Sequence, residues 1–314
     1  MIRQTWLAPA VIAGLMLGAG AASAENLRLM TGPQGGSWYP MGGAIKNVVE
    51  QAMPDTSVQV RPGAGIANVK AVQAGKADIA FANSVSTVDA INGKPPFEEQ
   101  ATNVCNLATL YPQYFQIVTT ADTGIDGLDE LKGRGLTTQP TGNTGEAITQ
   151  HLVQAQGLTY DDLAGVDFVS YNDSVALLKD GNSEVFTLGT TVPASAIMDL
   201  ASARDIKLLA VDDSLLAKMQ ELNPGYKRIE IAAGSYPGQD EAVPTIGYAT
   251  HIIVRCDLPA ETVTGVLEQI VANQQDLASV AKAIADTSLA QMGADIGVPM
   301  HEAAAQFWQE KGAM

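Results

Sequence analysis

Basic residues are scarce in this chain. Its 314 residues carry 18 lysines and arginines against 34 aspartates and glutamates, a formal charge of −16. Such an excess argues against nucleic acid or anionic lipid as a partner. It does not exclude an anionic ligand, because a distant acidic surface is screened and a local nest of amides can hold a carboxylate. Imidazole is limited to His151, His251 and His301. The first lies on an apolar helical face, the second within a strand-like run and the third near a helix start, and structural roles account for all three. There is no Gly-x-Ser-x-Gly elbow, His-Glu-x-x-His, P-loop or Cys/His metal cluster. Ser279-Val280-Ala281-Lys282 spells Ser-x-x-Lys, but in an alanine-rich helical stretch with no companion motif. The pairs Asp161-Asp162 and Asp212-Asp213 precede helices, where charge complementarity to the helix start explains them. These absences predict no catalytic residue, no metal site and no cofactor.

Long apolar runs are also missing after residue 24, so no later segment reads as a membrane span. Before it, Arg3, an apolar run from Leu7 to Ala22 and the small residues Ala22-Ser23-Ala24 form a secretory signal with cleavage after Ala24. A retained anchor is the alternative. Cleavage leaves a soluble, exported chain too long for one ordinary core and suited to two lobes. Cysteine is limited to Cys105 and Cys256. An even count in an exported protein permits a disulfide, two buried free thiols being the alternative.

Glycine, in contrast, is plentiful and grouped. Thr31 to Gly43, TGPQGGSWYPMGG, follows a strand-like run at Asn26–Met30 and opens a helical one. Its glycines let the backbone approach a ligand, the following helix start favours an anion, and Trp38 and Tyr39 supply flat walls. A glycine-rich connector with two core aromatics is the plainer reading. After the strand Ser57–Arg61, the run Pro62-Gly63-Ala64-Gly65-Ile66-Ala67-Asn68 repeats the design, and Asn83-Ser84 ends a third strand, Asp78–Ala82. Small polar groups at successive strand ends are the rule for ligand crevices in open α/β sheets.

Leu107 to Thr120 is the longest strand-like run, and Pro112 makes its first part an edge or a bulge. Gly127–Arg134 reads as a short helix, and a third glycine loop, Pro140–Gly145, opens the helix Glu146–Gln156. Short strands at Asp167–Val169, Val185–Leu188 and Lys207–Val211 alternate with helices and make a second α/β lobe. Thr245–Arg255 is the second long strand. A helix from Ala260 to about Gln274 and a helical tail docked by Phe307 and Trp308 complete the chain.

Taken together, GPQGGSWYPMGGAI, RPGAGIANVKAVQAGKADIAFANS, LYPQYFQIVTT, LKGRGLTTQPTGNTGEAI and AAGSYPGQDEAVPTIGYA resemble the TAXI-type solute-binding proteins. These are periplasmic receptors of tripartite ATP-independent (TRAP) transporters. The resemblance covers nearly all of the chain after residue 24. It implies a type II periplasmic-binding-protein fold, two α/β lobes joined by two hinge strands, with residues 25–118 plus 252–314 as lobe one and residues 119–251 as lobe two. It implies a monomeric receptor that binds a small organic anion, glutamate and related dicarboxylates among them, and delivers it to a TRAP permease. Carried over by position, Gly36, Ser37, Trp38, Tyr39, Gly65, Asn68, Asn83 and Ser84 line the cleft from lobe one. Asn143, Thr144 and Gly145 close it from lobe two, and Arg61 is a candidate carboxylate clamp, an outward-facing arginine being the alternative. This chain departs from many relatives at Gly142–Gly145 and at Val185–Thr191, a segment that includes Thr187 as a further candidate contact, so the resemblance leaves the ligand's identity open. A sensing module for a membrane kinase and a secreted hydrolase are the other readings.

Overall fold

The computed structural model describes residues 1, 25–32 and 37–314. Residues 2–24, expected to hold the secretory signal and its cleavage point, and residues 33–36, which include Gly36, lie outside the described residues.

The chain begins with β1 (Glu25–Met30), α1 (Trp38–Ala52), β2 (Thr56–Arg61), α2 (Gly65–Gln73), β3 (Ile79–Asn83) and α3 (Ser84–Ile91). The long strand β4 (Cys105–Thr120) leads into β5 (Gly135–Thr138), α4 (Thr144–Ala155), β6 (Gly165–Phe168), α5 (Tyr171–Lys179) and β7 (Val185–Thr190). Then come α6 (Ser195–Ala201), β8 (Ile206–Leu208), α7 (Asp213–Leu222) and β9 (Lys227–Ile231). The second long strand, β10 (Val243–Val254), returns to α8 (Ala260–Ala272), α9 (Gln274–Leu277), α10 (Leu289–Met292) and α11 (Glu302–Glu310).

Apolar periodicity explains the main elements. Met41, Ile45 and Val49 recur at helical spacing on the buried side of α1. Leu27 and Leu29 alternate inward on β1, whereas β3 is buried along its whole length because it lies between β1 and β10.

The strand order is β2-β1-β3-β10-β4-β7-β5-β6, with β8 beside β4 and β9 beside β10. β1 runs parallel to β2 and β3, and β5 runs parallel to β6 and β7. β10 is antiparallel to β3 and β4, and β4 is antiparallel to β7. Each lobe is therefore a parallel sheet bordered by the two strands that the lobes share. The start of β4 pairs with β10, and β7 joins it only from Tyr114 onward. Pro112, which has no N–H to donate, sits near the end of that edge.

Packing separates on either side of the crossing. Leu107, Leu110, Ile252, Val263 and Trp308 belong to one core, and Phe115, Ile117, Ile148, Leu152 and Ile246 to another. Trp308 docks α11 by donating its indole N–H to the Leu107 carbonyl at 2.9 Å. Cys105 and Cys256 form a disulfide at the lobe-one ends of β4 and β10.

Several local expectations are corrected. Gly127–Arg134 makes only a 3-10 turn at Leu128–Glu130, because Gly127 precedes it in extended backbone and Gly133 takes φ 73° soon after. β9 is an additional strand that its charged sequence, KRIEI, conceals. The tail after Ala272 breaks into short helices, and Ser279 lies in a turn, donating to the Asp276 carbonyl.

Candidate functional site

The parallel strands of the two lobes point their carboxyl ends at one another, and a cavity of about 70 Å³ lies between them. Ser37 and Trp38 reach it from the start of α1, Gly65 from the start of α2, and Asn83 from the residue before α3. Asn143, Thr144 and Gly145 reach it from the start of α4 in the opposite lobe. The hinge strands supply Gln113 and Tyr248, which place polar groups between the two sets of loops.

Four helix starts converge here, and none of the four carries a side-chain cap. Elsewhere α5, α7, α10 and α11 are capped by Ser170, Asp212, Ser288 and His301, while α6, α8 and α9 also lack a side-chain cap. The first turns of α1, α2 and α3 also lack acidic residues, while α5, α7, α8 and α11 each have one. α4 carries Glu146 in its first turn, so α1, α2 and α3 are the helices here whose positive dipole ends have no carboxylate beside them. Among the described residues, no charged side chain lines the cavity. Its chemistry is that of main-chain donors, hydroxyls and carboxamides, which suits one small anion.

Glycine makes room for these groups. A Cβ on Gly65 would overlap the Thr144 hydroxyl from the other lobe, one on Gly145 would overlap Gln139 Oε1, and one on Gly189 would overlap the Tyr248 hydroxyl. Trp38 is 8% exposed and stacks on Phe81 with ring centroids 5.7 Å apart.

Of the residues expected to line the cleft, the structure brings Ser37, Trp38, Gly65, Asn83, Asn143, Thr144 and Gly145 together. It moves the others. Tyr39 is half-buried outside the cavity, since one helical step turns it away from Trp38. Arg61 is exposed at the end of β2 and donates to Gln59 at 3.0 Å, so it is no clamp for this cavity. Asn68 is fully buried and bonds the carbonyls of Thr31 (2.7 Å) and Phe81 (2.8 Å), bracing the loops from behind. Ser84 accepts from the Ala249 amide at 3.0 Å and lies beside the hinge. Thr187 is buried under the site, 2.7 Å from the Thr149 hydroxyl, which in turn is 2.9 Å from that of Thr138.

Gln113, Gln139, Tyr171 and Tyr248 are not anticipated from sequence, whereas Gly189 and Thr190 fall within the flagged segment Val185–Thr191. One signal for Gln113 was present, a carboxamide in the middle of the most apolar strand, where an unpaired polar group would be costly.

The lobes touch through a polar seam. Ser86 and Thr144 hydroxyls are 2.8 Å apart, Asn223 donates to the Asp89 carboxylate at 2.8 Å, and Lys94 donates to the Leu222 carbonyl at 3.2 Å. Burial pushes the Asp89 carboxyl up to about 6, against the lowering effects of Asn223 and Lys94. A folded-state pKa above the unfolded value of 3.8 means that the folded protein holds more protons between those values. This group's contribution to stability therefore falls as pH rises from about 4 through 6. In Asp89→Asn that component disappears, so the variant's gain in melting temperature over the parent is expected to be larger at pH 7.5 than at pH 4.5, as read by calorimetric melting.

The histidines are structural. His151 bonds the Tyr226 hydroxyl at 2.7 Å, His301 caps α11, and His251 lies between Thr87 (2.8 Å) and Asn106 (3.0 Å). Burial pushes the His251 ring down to about 3, which keeps it neutral.

A model of the NMT1-like family matches residues 29–312. Among solved structures, a periplasmic transporter protein is similar at 14% identity and a TM-score of 0.56, over 91% of this chain and 92% of that one. The alkanesulfonate-binding protein SsuA of Xanthomonas axonopodis pv. citri, bound to MOPS, is similar at 14% identity and 0.51, over 92% and 85%. A Listeria monocytogenes protein provisionally described as an L-cystine ABC transporter is similar at 13% identity and 0.52, over 83% and 97%. At these identities the likeness is one of fold, and the expected two-lobed periplasmic-binding-protein fold is the one observed.

Proposed function

The chain belongs to the NMT1-like family, and from that premise we propose that it is an exported receptor that captures a small organic anion between its lobes and delivers it to a membrane permease. The observation that carries this reading is the convergence of four uncapped helix starts on one cavity with no charged side chain among the described residues that line it. An anion held there receives several main-chain donors, each favoured by its helix dipole. Micromolar capture corresponds to about −8 kcal/mol, within reach of a few charge-assisted hydrogen bonds after the cost of closure.

Export is supported by Arg3, the apolar run after it and Ala22-Ser23-Ala24. Of the lobe limits we propose, residues 25–118 with 252–314 and residues 119–251, the one at 251/252 is supported by the change of core between Tyr248 and Ile252 on β10. On β4 the change falls between Tyr111 and Phe115, which moves the first crossing a few residues earlier.

For the permease, the glycine-loop resemblance favours the TRAP type, driven by an ion gradient. The similar protein described as an ABC transporter favours an ATP-driven permease as the second reading. Uptake that stops when the ion gradient is collapsed, and persists when ATP is depleted, supports the first; the opposite pattern supports the second.

The binding claim is tested by calorimetry over a panel of carboxylates and sulfonates. A ligand at 100 times its dissociation constant adds about 2.7 kcal/mol of stability, and a panel without such a ligand would refute the reading. Thr144→Ala is expected to weaken binding about tenfold by removing a cavity hydroxyl. Tyr39→Ala should stay within twofold, because Tyr39 lies outside the cavity.

A further inference from the structure

We infer that capture is coupled to proton uptake: as the lobes meet they bury the Asp89 carboxyl in the seam between them, and this group takes up a proton on closure. The inference rests on the anion-receptor reading above and adds to it a pH response of binding.

Asp89 belongs to α3 of lobe one, and its hydrogen-bond partner comes from lobe two. Its Oδ2 accepts from Asn223 Nδ2 at 2.8 Å, and the same amide donates to the Val85 carbonyl at 3.0 Å. The residue is only 7% exposed. A second cavity, of about 510 Å³, runs along the seam, with Lys70, Asp89 and Lys94 on the lobe-one wall and Glu146, His151 and Leu222 on the lobe-two wall. Because its two walls belong to different lobes, parting the lobes widens it and brings water to Asp89.

The closed seam offers a carboxylate little. Among the described residues Asp89 Oδ1 has no partner, and Lys94 gives its ammonium to the Leu222 carbonyl of lobe two at 3.2 Å. A buried charge held by one neutral carboxamide is costly, and a proton on Oδ1 removes the charge while leaving the Asn223 hydrogen bond in place. Burial accordingly pushes this carboxyl up to about 6, above the ordinary 3.8 of a solvated aspartate. A group whose pKa is higher in the closed form takes up a proton on closing between those two values, and its charge opposes closure above them.

Other titratable groups face the same seam. Burial also raises the Glu146 carboxyl on α4, which acts in the same sense. His151 is lowered by burial and by Lys94 across the seam, so it acts in the opposite sense. The Tyr226 hydroxyl is pushed up by burial and by Asp89 and stays protonated, His251 behind α3 stays neutral, and Lys70 is exposed. A comparison of the parent with Asp89→Asn isolates one group from this sum.

The probe is the tightest binder among acetate, pyruvate, L-glutamate, succinate and ethanesulfonate, titrated into the full mature chain. Calorimetry with that probe at pH 5.0 and 7.5, in buffers of different ionisation enthalpy, counts the protons taken up on binding. The parent should take up nearly one proton more than Asp89→Asn at pH 5.0 and about none more at pH 7.5. The parent-to-variant affinity ratio should rise about tenfold between pH 7.5 and pH 5.0. Titration of the probe itself and of His151 cancels in the difference. Equal proton uptake with a flat ratio overturns the inference and leaves the receptor reading in place; no binding by any of the five removes the receptor reading and this inference with it. If Asp89→Asn does not fold, carbon NMR of the Asp89 carboxyl in the parent decides: its pKa should stand higher by at least about 1 with the probe bound than without it, and equal values overturn the inference.

Discussion

Gly65→Val is expected to lower ligand affinity about 100-fold while leaving a folded protein. Gly65 opens α2, and a Cβ there would overlap the Thr144 hydroxyl that arrives from lobe two. The hydroxyl has little freedom to turn away, because it is bonded to Ser86 at 2.8 Å across the same seam. Overpacking of a closed contact costs about 1–3 kcal/mol, which is up to about 100-fold in a closure equilibrium. Within lobe one the new Cβ would meet only the Asn83 carboxamide, at 3.0 Å, so most of the crowding falls on the contact between the lobes and not on folding. Gly43→Ala is the matched control: it adds a Cβ on α1 where no atom lies within 4 Å. Calorimetry and melting curves on the two variants check the claim, and unchanged affinity in Gly65→Val would mean that the lobes never meet as described.

Loss of the Cys105–Cys256 bridge should have the largest effect on stability. The two residues are 151 positions apart, and release of a loop of that length is worth about 4–5 kcal/mol in the chain-entropy model. For a protein of this size that corresponds to a melting temperature lower by roughly 10 °C or more. The bridge ties Cys105, at the start of β4, to Cys256, just beyond the end of β10. Both lie away from the cavity, so the Cys105→Ser, Cys256→Ser double variant should keep its ligand affinity within about twofold where it remains folded. Differential scanning calorimetry with and without reductant gives the first quantity, and titration of the double variant gives the second.

Much of the architecture was legible because it rests on local rules. Strands followed by glycine loops and amphipathic helices predicted both lobes, and the two long apolar runs predicted the crossings. The cleft residues that sequence found are those sitting on helix starts, Ser37, Gly65, Asn83, Asn143, Thr144 and Gly145, where a local motif fixes both position and role. The errors share a cause. Tyr39, Arg61 and Asn68 are neighbours of loop residues in the chain, but the helical turn or the strand end carries their side chains elsewhere. Thr187 belongs to the flagged strand β7, yet the cavity is met two and three residues later by Gly189 and Thr190. Gln113 and Tyr248 enter the site only because β4 and β10 pair antiparallel, and that register is a long-range fact.

That pairing also determines how the molecule can move. Partners run from Phe115 and Ile246 to Tyr111 and Thr250 without a break, and the register first shifts beyond Thr250. A two-stranded ribbon bonded along its length resists stretching and shear, and twists more readily than it does either. In the receptor proposed above, capture would thereby be converted into a single bearing between two rigid bodies, much as a torsion wire turns load into angle. The proposed permease would then gauge occupancy from that bearing alone, without inspecting the cargo.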